Sequence, residues 1–147
     1  MALTLATIAS TGGKAHALGA DVPYAAFAVA PDVDWVQVCG QWPPASAESA
    51  GTYRIVHATR YAQSFVYVQW LRRDSNGSAA EVHTEGVATL NNDHAEISLS
   101  QMRCQATRQG IRFSARAESG HDGAVFGITI DAGHRPGVLR YRTTLRR

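Results

Sequence analysis

One stretch, Gln63 to Leu90, restricts the fold more than any other part of the chain. Its first arm, Gln63-Ser-Phe-Val-Tyr-Val-Gln-Trp-Leu71, is rich in β-branched and aromatic residues, and its second arm runs from Ala79 to Leu90. Between them Asn76-Gly77 supplies residues that tolerate positive φ, so the stretch predicts a β-hairpin. Alternation divides the first arm into Phe65, Tyr67 and Leu71 on one side and Val66, Val68 and Trp70 on the other. Both sets are apolar, which predicts a central strand covered on both faces.

The same period of two continues on either side. Before the hairpin, Asp34–Trp42 alternates with Val36, Val38 and Trp42 together, and Thr52–Thr59 places Tyr53, Ile55 and His57 together. After it come Ala95, Ile97 and Leu99, then Ile111, Phe113 and Ala115, then Phe126, Ile128 and Ile130, and finally Leu139, Tyr141 and Leu145. Turn residues stand between these runs at Asn91–Asp93, Gln109-Gly110, Gly120–Gly123 and Gly133–Gly137. The rhythm of about eight strands with short connections predicts an all-β fold, a single-domain antiparallel β-sandwich or small β-barrel. Residues 34–147 form that β domain, preceded by an irregular segment over 18–33. At 147 residues the chain suits one domain with its own core. No apolar run approaches the ~20 residues that a membrane-spanning helix needs.

The first 17 residues read as the remnant of a signal peptide. Met1–Ser10 is a short apolar run, and Ala15-His-Ala17 has the small-x-small form of a cleavage site. A periplasmic or secreted protein is the location this implies. The missing charged n-region and Lys14 beside the cut point the other way, towards a cytoplasmic chain with a strand-forming N-terminus.

Charge is unevenly spread. Met1 to Met102 carries five basic and nine acidic residues, whereas Arg103 to Arg147 carries nine arginines against Glu118, Asp122 and Asp131. The net charge is only +2, which implies no nucleic-acid partner. If the last three strands pair in order, Arg112 and Arg116 on one side and Arg140, Arg142 and Arg146 on the other flank a middle strand showing Val125, Gly127 and Thr129. That is a basic face with a low floor, and guanidinium forks suit carboxylate, sulfate or phosphate groups. Arg112, Arg116, Arg140 and Arg142 are therefore the candidate ligand-binding residues. The bland alternative is a solvated face kept soluble by charge.

Chemistry-bearing motifs are otherwise scarce. The chain has no Gly-rich phosphate loop, G-x-S-x-G elbow, H-E-x-x-H or zinc-spaced cysteine pair, and no pattern that calls for a cofactor. No serine or cysteine has the setting of a nucleophile, so no catalytic residue is assigned. Cys39 and Cys104 are expected to form one disulfide if the chain is exported, and to be two buried thiols if it is not. His83 with Glu85 and His94 with Glu96 would converge on a metal only if their strands pair, and a solvated strand face explains them equally, so no metal is assigned. His57, Tyr67 and Gln69 are polar groups on apolar runs, which either line an interior cavity or are satisfied inside the core.

These readings leave function classes that differ in kind. The first is a non-enzymatic exported β-sandwich that binds an acidic protein or glycan through the arginines. The second is a small-molecule-binding β-barrel, a carrier or small enzyme, using a cavity near His57, Tyr67 and Gln69. A structural subunit that adds a strand to a neighbour comes third.

Overall fold

The computed structural model describes residues 30–42, 51–92 and 94–145. The leader expected over residues 1–17, the irregular segment up to residue 29 and Arg146 lie outside the described residues. Eight strands are present: β1 (Val33–Trp42), β2 (Gly51–Arg60), β3 (Gln63–Arg73), β4 (Ala79–Gly86), β5 (Ile97–Thr107), β6 (Gly110–Ser119), β7 (Val125–Gly133) and β8 (Leu139–Leu145). They form two antiparallel sheets, ordered β1-β2-β3-β4 and β5-β6-β7-β8. Among the described residues the two sheets do not close on each other through a ladder, so of the two expected architectures the sandwich is the one formed.

Inward-facing residues of the central strands build the core. In the first sheet Tyr53 faces Trp70, Ile55 faces Val68 and His57 faces Val66. In the second, Phe113 faces Ile130 and Ala115 faces Ile128. Tyr53, Ile55, Trp70 and Phe113 have no exposed surface. Each such side chain contributes about 1.5–3 kcal/mol by leaving water. Tyr53 meets Trp70 edge-on with ring centroids 6.0 Å apart, and Trp35 meets Phe113 across the sheets at the same distance. The Cys39–Cys104 disulfide, with Cα atoms 6.2 Å apart, joins β1 to β5. These are edge strands of opposite sheets, so the bond closes one side of the sandwich.

The hairpin forms where the sequence places it. Gly77 takes φ +80°, and the Asp74 carboxylate accepts hydrogen bonds from the backbone of Asn76 and Ser78 at 2.9 and 2.8 Å. β4 stops at Gly86, short of Leu90, and Val87 and Leu90 turn inward to close one end of the core. The Asn91 side chain then takes over the ladder. Its amide accepts from Val66 N at 2.8 Å and donates to Val66 O at 2.9 Å. Gly86 makes room for it, since a Cβ there would lie 2.5 Å from the Asn91 amide nitrogen.

Two phase shifts separate the structure from plain alternation. In β1 the inward residues are Trp35, Gln37 and Cys39, while Val36 and Val38 are 45% and 57% exposed on the outer side. A bulge at Gly40, φ +66°, changes the phase so that Trp42 is buried. Val36, Val38 and Trp42 therefore do not share a face, contrary to the expectation from period two. In β5 a bulge at Gln101, φ +53°, carries the inward set from Ile97 and Leu99 to Met102 and Cys104.

The two outer faces differ in chemistry. That of the first sheet carries Val36, Val38, Val56, Phe65 and Tyr67. β3 is an interior strand, but among the described residues no third layer lies over this side, so the expected double cover is only half met. That of the second sheet is polar and rich in arginine.

Candidate functional site

Because Ile111, Phe113 and Ala115 turn inward on β6, and Phe126, Ile128 and Ile130 on β7, the residues between them turn outward. Register then sorts them into rows across the sheet. Arg112 stands opposite Asp131, and Asp131 opposite Arg140. Ser114 stands opposite Thr129 and Thr129 opposite Arg142, while Arg116 stands opposite Gly127 and Gly127 opposite Thr144. β5 adds Gln105 beside Arg112 and Arg103 beside Ser114. Arg112, Arg116, Arg140 and Arg142 therefore lie on one face.

Asp131 is the member that sequence reasoning missed. Alternation in the sequence places Val125, Gly127 and Thr129 on the floor, but β7 runs on to Gly133, and two more residues of alternation bring Asp131 to the same surface. Arg112 Nε donates to Asp131 Oδ1 at 2.6 Å, and its Nη2 to Oδ2 at 3.2 Å. Arg142 Nη2 also donates to Oδ2. Arg140 acts on Asp131 through its charge. The Arg112 hydrogen bond is the main reason the Asp131 carboxyl is held below its usual 3.8, burial opposing and the charges of all three arginines assisting. The same bond raises Arg112. Further along, Arg116 Nη1 donates to Glu118 Oε2 at 3.3 Å.

The surface over these rows is hollowed. An open groove of about 660 Å³ is lined by Arg108, Arg112, Asp131, Arg140 and Arg142. A second hollow of about 330 Å³ on the same face is lined by Arg103, Ser114, Arg116, Gly127 and Thr129. The larger groove sets four guanidiniums against one carboxylate. Such a site attracts anions and offers them unoccupied N–H donors, because each guanidinium has five and Asp131 takes at most two from any one.

The other candidate group does not assemble. His57 faces the core and is 4% exposed, whereas Tyr67 and Gln69 lie on the outer side of the first sheet. Gln69 is satisfied there, accepting from Arg54 Nε at 2.6 Å and donating to Thr84 Oγ1 at 2.9 Å. His57 instead belongs to a polar chain, running from the exposed Asp34 into the core, that sequence spacing did not reveal. Its Nδ1 bonds Asp34 Oδ1 and its Nε2 lies 2.9 Å from Ser64 Oγ, which accepts a 2.9 Å hydrogen bond from Leu99 N. Burial pushes the Asp34 carboxyl up, but the Thr59 hydroxyl and the His57 ring outweigh it and hold it below the usual 3.8.

The order Asp–His–Ser is that of a base-activated serine. Ser64, however, is 3% exposed and its oxygen already accepts from the opposite sheet, so no carbonyl substrate has a path to it. Its evident work is to tie β3 to β5.

His83 lies 3.1 Å from Glu85, and His121 lies 3.5 Å from Glu96. Among the described residues no group of three or more His, Cys, Asp or Glu side chains is placed to hold a metal ion. No helix there is long and apolar enough to cross a membrane. The fold and the face thus define a two-sheet antiparallel sandwich, with a mixed apolar and polar outer face on the first sheet and an arginine-rich one on the second. Comparison with protein-family models, curated protein sequences and solved structures finds no match for the chain.

Proposed function

We propose that this is a non-enzymatic binding protein of an exported compartment, whose second sheet presents its arginine face to an anionic protein or glycan. The observation that carries the reading is the convergence of Arg108, Arg112, Arg140 and Arg142 on one open groove with Asp131 as its single acid. Excess guanidinium in a concave site concentrates anionic ligands and gives them directional donors. Export is supported by the Cys39–Cys104 bond, because disulfides persist mainly in oxidising compartments.

The test is retention on an immobilised polyanion, compared between the wild type and Arg140→Glu/Arg142→Glu. Both side chains point to solvent, so the double variant should fold normally and elute at much lower salt. The salt dependence of wild-type retention should be steep, since exposed charge pairs are screened over ~8 Å at physiological ionic strength. Equal retention of the two proteins would return the arginines to a purely solvating role.

A further inference from the structure

The basic face also indicates which anionic partner it suits, and this inference rests on the reading above. We infer that the ligand is an acidic polysaccharide, densely charged as in a sulfated glycan, lying lengthwise along β6 and β7 across Gly127. Three observations point to it.

The first is what the face lacks. A protein–protein interface is organised around apolar and aromatic anchors that fill pockets at its centre. Among the described residues between Arg103 and Arg142 the outer side of the second sheet offers Ser100, Ser114, Thr129 and Thr144, its large aliphatic groups being Val125 at one end and Val138, 51% exposed, on the lining of the larger groove. Among the described residues this face carries no aromatic ring on which a nucleobase would stack, which also disfavours single-stranded nucleic acid. Hydroxyl side chains and guanidiniums suit a ligand that is itself covered in hydroxyls and anions.

The second is the length of the depression. Two hollows lie in succession along the strands, the larger over the Arg112–Asp131–Arg140 row and the smaller over the Ser114–Thr129 and Arg116–Gly127 pairs. Residues two apart on a strand are about 7 Å apart, so the two hollows together cover three rows, roughly 13 Å along the strands, with arginine in each row. A compact anion would occupy one row. A chain carrying repeated charges would engage all three.

The third is the floor. Gly127 is the one residue in the middle of the face without a side chain, so a ligand there would rest on backbone. A Cβ built at this position has only ordinary contacts, 3.7 Å to Thr144 O and 3.9 Å to Thr144 Cβ. The gap is therefore not imposed by a clash at Cβ, and a side chain at this position would fill the smaller hollow that Gly127 lines.

Gly127→Val is the decisive variant, because it leaves every arginine in place. Binding of the full-length protein to dextran sulfate and to poly-glutamate of matched charge would be measured by calorimetry at fixed salt. The wild type should prefer dextran sulfate, and Gly127→Val should weaken that binding by about tenfold or more, the usual effect of forcing an extra side chain into a fitted contact. Its thermal unfolding should match that of the wild type. Wild-type-like binding by a folded Gly127→Val protein would overturn the placement across β6 and β7. Tighter binding of poly-glutamate than of dextran sulfate would overturn the glycan assignment in favour of an acidic protein. Either result is distinct from failure of the broader reading, in which Arg140→Glu/Arg142→Glu leaves polyanion retention unchanged. If Gly127→Val does not fold, Gly127→Ala with its single added methyl takes its place, and undiminished dextran sulfate binding again refutes the lengthwise placement.

Discussion

Replacing Ser64 by alanine should expose how strongly the two sheets are tied through polar groups. The serine oxygen bonds the His57 ring and accepts from Leu99 N, both at 2.9 Å, at a position 3% exposed. Alanine removes both bonds and leaves two groups in the interior without partners. Each unsatisfied buried group costs about 1–3 kcal/mol, so the expected loss for the two is about 2–6 kcal/mol. Ser98→Ala, an exposed serine on the neighbouring sheet, is the control and should change stability by less than about 0.5 kcal/mol. Urea unfolding at neutral pH would measure both, with an unchanged denaturant slope confirming that the native and unfolded states keep their exposed areas. Asp34→Asn combined with Ser64→Ala should cost less than the sum of the single changes, because both act on His57. A Ser64→Ala loss under about 1 kcal/mol would refute the argument, since it would mean that Leu99 N and His57 find other partners at little cost. Labelling of Ser64 in the folded protein by a serine-reactive phosphonate would refute its sealed, structural role.

Two further outcomes are expected. Cys39→Ser/Cys104→Ser should lower stability by about 4 kcal/mol on the chain-entropy model, given a sequence separation of 65, and equal unfolding midpoints for oxidised and reduced protein would show that the sheets hold their edges without the bond. Asp34 and Asp131 have native carboxyls below the usual 3.8, so their contribution is complete above that value and is lost as pH falls through the lower native one; Tyr53, pushed by burial from 10.0 up to about 12, should withdraw stability as pH rises between those two values. Unfolding temperatures that stay flat below pH 4 and above pH 10 would contradict both assignments.

Most of the strand plan was legible because one face of each later strand is plainly apolar. Ile111, Phe113 and Ala115, and likewise Phe126, Ile128 and Ile130, are inward in the sequence reading and inward in the structure. The plan failed where the backbone breaks its own period. At Gly40 and Gln101 a single residue of positive φ changes which side chains face the core, and composition gave no warning at Gln101, since glutamine rarely takes that conformation. The apolar Val36 and Val38 made the error in β1 natural, for they are more hydrophobic than Gln37, which is inside and accepts from Cys104 N at 3.2 Å. The arginine face was readable from alternation alone, whereas Asp131 at its centre required knowing how far β7 extends. The Asp34–His57–Ser64 chain was out of reach. It depends on three strands and a register that no local pattern encodes.

The order of the strands has a consequence for how the chain comes into being. Among the described residues every hydrogen-bonded ladder joins strands adjacent in sequence, so the first sheet can zip together before Ile97 has been synthesised. Its inner surface of Tyr53, Ile55, Val68 and Trp70 then has nothing to rest on until the second sheet arrives. A nascent chain halted near residue 92 is thus a finished ladder with an uncovered oily side, the kind of intermediate that associates with its own copies or occupies a chaperone. Only when β5 reaches β1 do Cys39 and Cys104 come within bonding reach, so oxidation of this pair reports the late meeting of two halves that were each built locally.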